Sequence, residues 1–559
     1  VCVTRPGDIY HHSSIPADLI DTGYRAHNAS YDSVVFFQNM PAYRPKLWDL
    51  YEAGKIHCTK LREKLLDLKK GILGTRRYSL KDIVKRRYNK DMDKDTWRMG
   101  YEGLIDTPLS AWPEGAKEYA IGDAVYTDMV YVDQEKEAER YPLSAFRAES
   151  GRQAAFDFAL FLTSCRGMKV DREAVKNLRA KYTQKMLFLA VDLRNEGILR
   201  PGGTKDLAKI REIVTDCLGD QARKTDSGLV STDSDTLLAT GHPALLVLSE
   251  FNHAQKFLQT FVSALSGSGV VHTNYDCLKE TGRTSSSSPN IQNLPREPGV
   301  RECFVPRPGY AFVACDYDSQ ELRALSQCLM DLFGKSELAR RYSANPSYDP
   351  HTVFAARLMG VSGQRAEELK ATGDKSLKEF RQRAKAANFG FPGGMGAETL
   401  REYAKGYGIN LSIADSEKLK ETWFAENPEM QAYFRHVNGI SRDGMGSLTQ
   451  LRSNRVRGQI SFCAAANSYF QGLSSDISKT ALFLTAKESF DDRLSSDLLD
   501  CRPVCFIHDE IIIEVPLKKV GRAASRLEAV MVEAAKLWCP DVPFRASSRI
   551  MMDRWSKDG

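Results

Sequence analysis

Tyr310-Ala-Phe-Val-Ala-Cys315 followed by Asp316-Tyr-Asp-Ser-Gln-Glu-Leu-Arg323 is the stretch on which the fold turns. A short apolar run that stops at an acid reads as a buried strand delivering a carboxylate at its end. A partner lies far along the chain. Val504-Cys-Phe-Ile507, then His508-Asp509-Glu510, then Ile511-Ile-Ile-Glu-Val515 reads as a hairpin with acids at its tight turn. The residues between are mostly helical in pattern, interrupted at Gly393-Gly394 and from Gly444 to Gly446. A strand ending in Asp and a hairpin turning on Asp-Glu can gather three carboxylates. Like charges a few Å apart repel by several kcal/mol in a low-dielectric site. Such a cluster calls for a cation with a taste for oxygen ligands, Mg²⁺ above all. Taken singly, each acid reads better as a surface turn cap than as a ligand.

The rest of the chain sets the frame. Its 559 residues argue for several domains. Hydrophobic residues at 42% and charged residues at 27% are ordinary globular values, which excludes collagen-like and disordered classes. A net charge of +6 permits nucleic acid as a partner without demanding it. The twelve cysteines are scattered, with no CxxC pair, and read as reduced thiols in a cytoplasmic protein. No apolar run is long enough for a bilayer span and no signal peptide opens the chain, so no membrane partner is expected. The chain opens on Val1 rather than Met, which leaves room for residues upstream.

Charge is uneven along the chain. From Lys60 to Lys90 there are 12 Lys/Arg against 3 Asp/Glu, either a solvated helical face or a polyanion path. Residues 151–200 carry helical spacing, as in Ala155, Phe158, Ala159 and Leu162. Gly202-Gly203 is a break, Lys224 to Ser234 reads as an exposed loop, and helical pattern resumes from Leu237 to Leu265. The polar run Thr281 to Asn290, with four serines, reads as a linker on composition alone.

Five motifs in order resemble those of family A DNA polymerases, the group of bacterial DNA polymerase I and many phage replicases. They are Thr281-Gly282-Arg283 with Pro289-Asn-Ile-Gln-Asn293, then Asp316 to Arg323, then Arg381-x₃-Lys385-x₃-Phe389-Gly390, then Asn467-x₃-Gln471, then His508-Asp509-Glu510. The resemblance is strong over roughly residues 150–559 and turns the serine run from a linker into a functional loop. It implies two Mg²⁺ ions, with Mn²⁺ able to replace them, shared by Asp316 and Asp509. The Tyr317 carbonyl would be a further ligand and Glu510 an auxiliary carboxylate. It implies nucleotide contacts from Gln320, Glu321, His351, Arg381, Lys385 and Phe389, with Glu321 as the gate that crowds a ribose 2′-hydroxyl. It implies primer-template contacts from Arg283, Asn290, Gln292, Asn293, Asn467, Gln471 and His508. Residues 381, 385 and 389 are four apart, so on a helix two cations and an aromatic ring share one face.

Two positions depart from the family pattern. Gly393 stands where the family has a Tyr that closes over the template position, and Pro392-Gly393-Gly394 should end the helix early. The expectation is a more open template pocket. Asp318 replaces the usual Ser beside the catalytic Asp and is expected to be solvated.

The N-terminal part resembles a DnaQ-like (RNase H-like) 3′–5′ exonuclease. Asn28-x₃-Asp32 matches its second motif and Tyr119-x₃-Asp123 its third. The first, Asp-x-Glu, is missing between Val1 and Asp32, which a chain trimmed at its start explains better than natural loss. The expected fold is therefore multidomain, α/β and α+β: an incomplete exonuclease domain at 1–145 followed by a right-hand polymerase. Its thumb is expected at 146–270, palm at 271–335 and 461–559, and fingers at 336–460. The expected function is template-directed DNA synthesis from deoxynucleoside triphosphates on primer-template DNA. A phage replicase without a 5′ nuclease domain, working in a bacterial host's cytoplasm, fits that domain order. A translesion or repair polymerase, a nuclease, and a non-catalytic DNA-binding remnant are the rival readings.

Overall fold

The computed structural model describes residues 22–92, 96–97, 103–104, 107–140, 142–267, 269–295, 297–406 and 408–556, with two short strands between residues 2 and 10. Those strands, β1 (Cys2–Arg5) and β2 (Asp8–Tyr10), pair antiparallel. Strand β3 (Tyr24–Ala26) then leads through α1 (Ala29–Asn39) to β4 (Ile56–Cys58), which lies parallel to it. Parallel pairing needs a crossover, and α1 with the helix Arg44–Glu52 provides it. Two long helices follow, α2 (Glu114–Ala138) and α3 (Leu143–Arg166). The boundary expected at 145/146 thus falls inside α3. Its buried residues run from Glu149 to Thr163, so packing holds one helix across that position.

The chain divides into two compact units. One comprises Val1–Cys165, Tyr275–Ser285 and Val313–Arg549, the other Arg166–Asn274, Ser286–Phe312 and Ile550–Gly559. The second unit is helical at its centre. The Asp171 carboxylate accepts the N–H groups of Glu173 and Ala174 at 3.0 and 3.1 Å and so starts α4 (Arg172–Asn195). Helix α4 and α5 (Pro243–Phe257) share an apolar cluster that includes Leu189, Leu193, Ile198, Leu245 and Leu248. The helical stretch expected from Leu237 to Leu265 is interrupted at residues 240–242, passes through a π turn, Leu258–Val262, and ends at Leu265.

The first unit is built on a four-stranded sheet. Its strands are β5 (Tyr310–Tyr317), β8 (Arg502–Ile507), β9 (Glu510–Pro516) and β10 (Ala546–Met551), in the order β8-β9-β5-β10. Between β5 and β8 lie α6 (Gln320–Phe333), α7 (Pro350–Met359), α8 (Lys375–Gly390) and α9 (Phe462–Phe490). An antiparallel hairpin, β6 (Gly446–Thr449) and β7 (Val456–Ile460), precedes α9, where the sequence pattern gave only a break. Helix α10 (Val520–Trp538) sits between β9 and β10 in the chain. Ala311 to Cys315 are buried on both sides of β5, as a continuous apolar run requires of a central strand. Ile511, Ile512 and Ile513 do the same in β9. Both expected strand runs are therefore strands of one sheet. Among the described residues no helix is long and apolar enough to cross a membrane.

Candidate active site

The acids are delivered by two sharp turns. Strand β5 ends at Tyr317, and Ser319, with φ of 54°, reverses the chain into α6. Few non-glycine residues take that conformation, so the turn is held by its surroundings. Arg323 does much of this. Its buried guanidinium donates to the carbonyls of Asp318 at 2.8 Å, Pro346 at 2.8 Å and Pro543, and it stacks 4.1 Å above the Tyr342 ring. The second turn is the two-residue His508-Asp509 link between Ile507 and Glu510, which are register partners. His508 has φ of 55°, the positive angle that two-residue hairpin turns favour.

Asp316, Asp509 and Glu510 act on one another electrostatically. Burial raises the Asp316 carboxyl well above the usual carboxylate range, and the negative charges of Asp509 and Glu510 raise it further. Burial likewise raises Asp509. A pair of acids that resists ionisation together is a pair that favours an added positive charge. Glu510 also faces Arg549 on β10 at 3.6 Å. Among the described residues no three His, Cys, Asp or Glu side chains converge closely enough to hold an ion by themselves. Asp316 and Asp509 offer hard carboxylate oxygens, the donor type that a divalent ion such as Mg²⁺ takes together with water. The Tyr317 side chain is tied down, its hydroxyl donating to Met531 O at 2.5 Å.

Arg283 and Glu321 meet in this neighbourhood as an ion pair. Asp509 is close enough to bear on the Arg283 charge, and burial, with Arg283 adding to it, lowers the pKa of His508. Gln320, expected at the nucleotide, is buried. Its amide donates to Ser474 O at 3.1 Å and Ser478 Oγ at 2.7 Å, docking α6 on α9. Asp318, expected to be solvated, accepts from Ser547 Oγ at 3.1 Å and faces Arg545 at 3.7 Å. It anchors the turn to the segment around β10.

A second group lies on α7 and α8. Asp349 caps α7 and also accepts from Arg381 at 3.0 Å and Lys370 at 3.1 Å, which holds its carboxyl far below the usual range. Arg381 donates to Thr352 Oγ1 at 3.1 Å as well. His351 Nδ1 lies 3.1 Å from Asn388 Nδ2, and its ring tilts over Phe389 at 5.3 Å. Burial lowers the His351 pKa to about 4, so at neutral pH it offers a hydrogen bond and no charge. Lys385 Nζ lies 6.0 Å above the Phe389 ring. Asp349 was not singled out in the sequence, although Asp-Pro-His-Thr is a legible helix start.

Gly393 is where the structure corrects expectation most. Helix α8 does stop at Gly390, and a 3₁₀ turn, Phe391–Gly393, follows. The space is not open. A Cβ on Gly393 would lie 2.5 Å from Asn467 Nδ2 and 2.6 Å from Oδ1. Asn467 donates to Gly393 O at 3.3 Å and to Cys463 O at 2.8 Å, and accepts from Gln471 at 3.2 Å. Phe391 cannot stand in for the missing ring, because it is buried 5.6 Å from Trp423. In the second unit, Ser286 Oγ donates to Asn290 Oδ1 at 2.9 Å and accepts the Gln292 N–H at 3.1 Å, and Asn293 ends the short helix Ile291–Asn293.

The residues expected to serve an exonuclease lie at the start of α1 and on α2. Asn28 precedes α1 with φ of 66° and accepts from Lys60 Nζ at 3.0 Å. Asp32 is in the first turn of α1, and burial raises its carboxyl to about 6. Tyr119 and Asp123 are four apart on α2. The basic run from Lys60 to Lys90 is largely paired. Lys70 meets Glu137 at 2.6 Å, Arg76 meets Asp67 at 3.0 Å, and Arg87 meets Glu63 and Glu137 at 2.6 and 2.9 Å. Arg62 and Lys64 pair with Glu135 and Asp276. That leaves far less free charge for a strand of nucleic acid than the count implied.

Comparison with known proteins gives the chain a family. The sequence model of DNA polymerase family A matches residues 200–557. The chain belongs to that family. It is 31% identical over 347 residues to a DNA polymerase I of Aquifex aeolicus, a match covering 60% of this chain and 55% of that protein. It is 26% identical over 512 residues to a DNA polymerase I of Synechocystis, covering 83% of this chain and 48% of the other. The matches thus take in about half the length of these relatives. Among solved structures it is similar in fold to the polymerase domain of Pol1 from M. smegmatis in complex with DNA primer-template and dNTP. The TM-score is 0.66 at 21% identity, over 89% of this chain and 81% of that one.

Proposed function

We propose that the chain is a template-directed DNA polymerase that extends a primer 3′ end with deoxynucleotides. The observation that carries the reading is the electrostatic conflict among Asp316, Asp509 and Glu510 at two strained turns of one sheet. The M. smegmatis structure, similar in fold, holds primer-template and dNTP. In this reading residues 271–335 and 461–559 are palm, 336–460 fingers and 146–270 thumb. Two divalent ions would be held by Asp316, Asp509 and the Tyr317 carbonyl. Bound there, they supply activation of the primer hydroxyl and stabilisation of the pyrophosphate. Arg381 and Lys385 bind the triphosphate, His351 donates a hydrogen bond as a neutral ring, and Phe389 covers the incoming nucleotide. Residues 1–145 are read as an exonuclease-like domain. The relatives named above are bacterial.

Primer extension with each deoxynucleotide tests the reading directly, and no extension in the presence of Mg²⁺ or Mn²⁺ would sink it. The same assay tests the gate. Glu321→Ala is expected to raise ribonucleotide use relative to deoxynucleotide by about a hundredfold, the discrimination that steric exclusion of one group can supply. An unchanged ratio removes Glu321 from that role.

Gly393 has a different expected effect. Gly393→Ala places a methyl group on the Asn467 amide, which is the movable end of a side chain. The protein folds, Asn467 turns away, and primer-template affinity falls by the same factor as in Asn467→Ala, about threefold to tenfold. Fluorescence anisotropy with labelled primer-template measures both. A Gly393→Ala protein that binds as wild type while Asn467→Ala does not would separate the two residues.

A further inference from the structure

Beneath the turn that presents Arg283 lies a set of buried charges with no part in the chemistry proposed above. The turn closes on itself, with Gly282 N–H donating to Lys279 O at 2.8 Å and Lys279 N–H to Arg283 O at 2.9 Å. The Gly282 carbonyl receives two donors from α9, Lys479 Nζ at 2.9 Å and Ser475 Oγ at 2.7 Å. Those residues are four apart, so they share a helix face. Lys479 is fully buried and also donates to Gln153 Oε1 at 2.9 Å and Cys277 O at 3.4 Å. Gly282 has φ of +90°, and a Cβ there would lie 2.4 Å from Arg455 Nη2. Arg455 is in turn fixed by Glu149 at 2.6 Å and Asp476 at 2.8 Å. Both the carbonyl and the α-carbon of Gly282 are thus set from below. The next residue is Arg283, which reaches Glu321.

The geometry points to Ser475 and Lys479 as positioning residues for Arg283, and through it for Glu321. The inference rests on the reading of Glu321 as the sugar gate. Both residues are buried, so they reach the pocket only through the turn. A carbonyl with two lone pairs filled by two buried donors has little freedom, because any drift leaves an ammonium short of an acceptor in a dry site. A long Arg side chain leaving a fixed backbone loses less entropy when it pairs with the gate. The gate carboxylate then keeps one direction, against the ribose face, before a nucleotide arrives.

The test compares kcat/KM for deoxynucleotide over ribonucleotide in Ser475→Ala, Lys479→Met, Arg283→Ala and the two double variants with Arg283→Ala. Each is assayed below its melting transition. Ser475→Ala is expected to lower the ratio by about fivefold, the effect of one lost hydrogen bond, and Lys479→Met by more. In the Arg283→Ala background neither changes it further, because they act through that side chain. The inference is overturned if both single variants keep the wild-type ratio, or if they shift it equally with and without Arg283. Should Lys479→Met not fold, Ser475→Ala decides alone. Hydrogen exchange over residues 279–285 gives a readout that needs no turnover. It is expected to quicken in Ser475→Ala, and unchanged exchange also overturns the inference. A wild-type protein that extends no primer overturns the polymerase reading instead, and exchange still decides on the turn.

Discussion

Asp316→Ala and Asp509→Ala are each expected to cut primer extension by at least about a thousandfold, roughly 4 kcal/mol of transition-state stabilisation. Primer-template affinity should change by no more than a few fold, since neither acid can attract a phosphate. The size follows from placement. Asp316 is the penultimate residue of β5 and Asp509 occupies a hairpin turn, so neither side chain can be replaced by a neighbour sliding along a flexible loop. Asp316→Asn makes the sharper test, because it keeps the shape and removes the charge. The same change should raise the melting temperature in metal-free buffer, as one of several mutually repelling carboxylates is gone. Quenched-flow extension and thermal melting measure the two halves. A variant that loses activity and also loses stability would mark Asp316 as a structural acid rather than a ligand. One that keeps wild-type turnover would put the reactive centre elsewhere.

What the sequence made legible follows from the range of the interactions involved. The two acid-bearing strands could be read because burial on both faces writes itself into consecutive residues, as in Ala311 to Cys315 and Ile511 to Ile513. The end of α8 could be read because Pro392 and the glycine pair act locally. Partners brought in from elsewhere could not. The emptiness expected at Gly393 is filled by Asn467, from another helix, and no local pattern announces that. The charge of the Lys60 to Lys90 run is real, but Glu135, Glu137 and Asp276 come from distant segments to neutralise much of it. Gln320 was expected at the nucleotide from the resemblance, and no local pattern announces that its amide donates to Ser474 and Ser478 of α9. The hairpin of β6 and β7 escaped because its strands are four and five residues long, with arginine and glycine among them.

Buried charge is the extreme case of that limit, and it carries the largest expected effect on stability. Glu149, Arg455, Asp476 and Lys479 are all within 3% of complete burial, and together they balance two positive charges against two negative. Nothing in the string Ser475-Asp-Ile-Ser-Lys479 separates these residues from an exposed i,i+3 pair. Asp476→Ala leaves Arg455 with Glu149 alone and Lys479, 4.0 Å from the lost carboxylate, with only neutral acceptors. An uncompensated charge in such a place costs about 3–5 kcal/mol. Guanidinium denaturation should show that loss for Asp476→Ala. Adding Lys479→Met removes the unmatched cation and should recover part of it, because the cost comes from imbalance rather than from missing attraction. A loss below about 1 kcal/mol, the range of a surface ion pair, would mean that water reaches the network. If the double variant is no more stable than Asp476→Ala, the penalty comes from the acceptors that Lys479 deserts, and the Gly282 carbonyl is then the first of them.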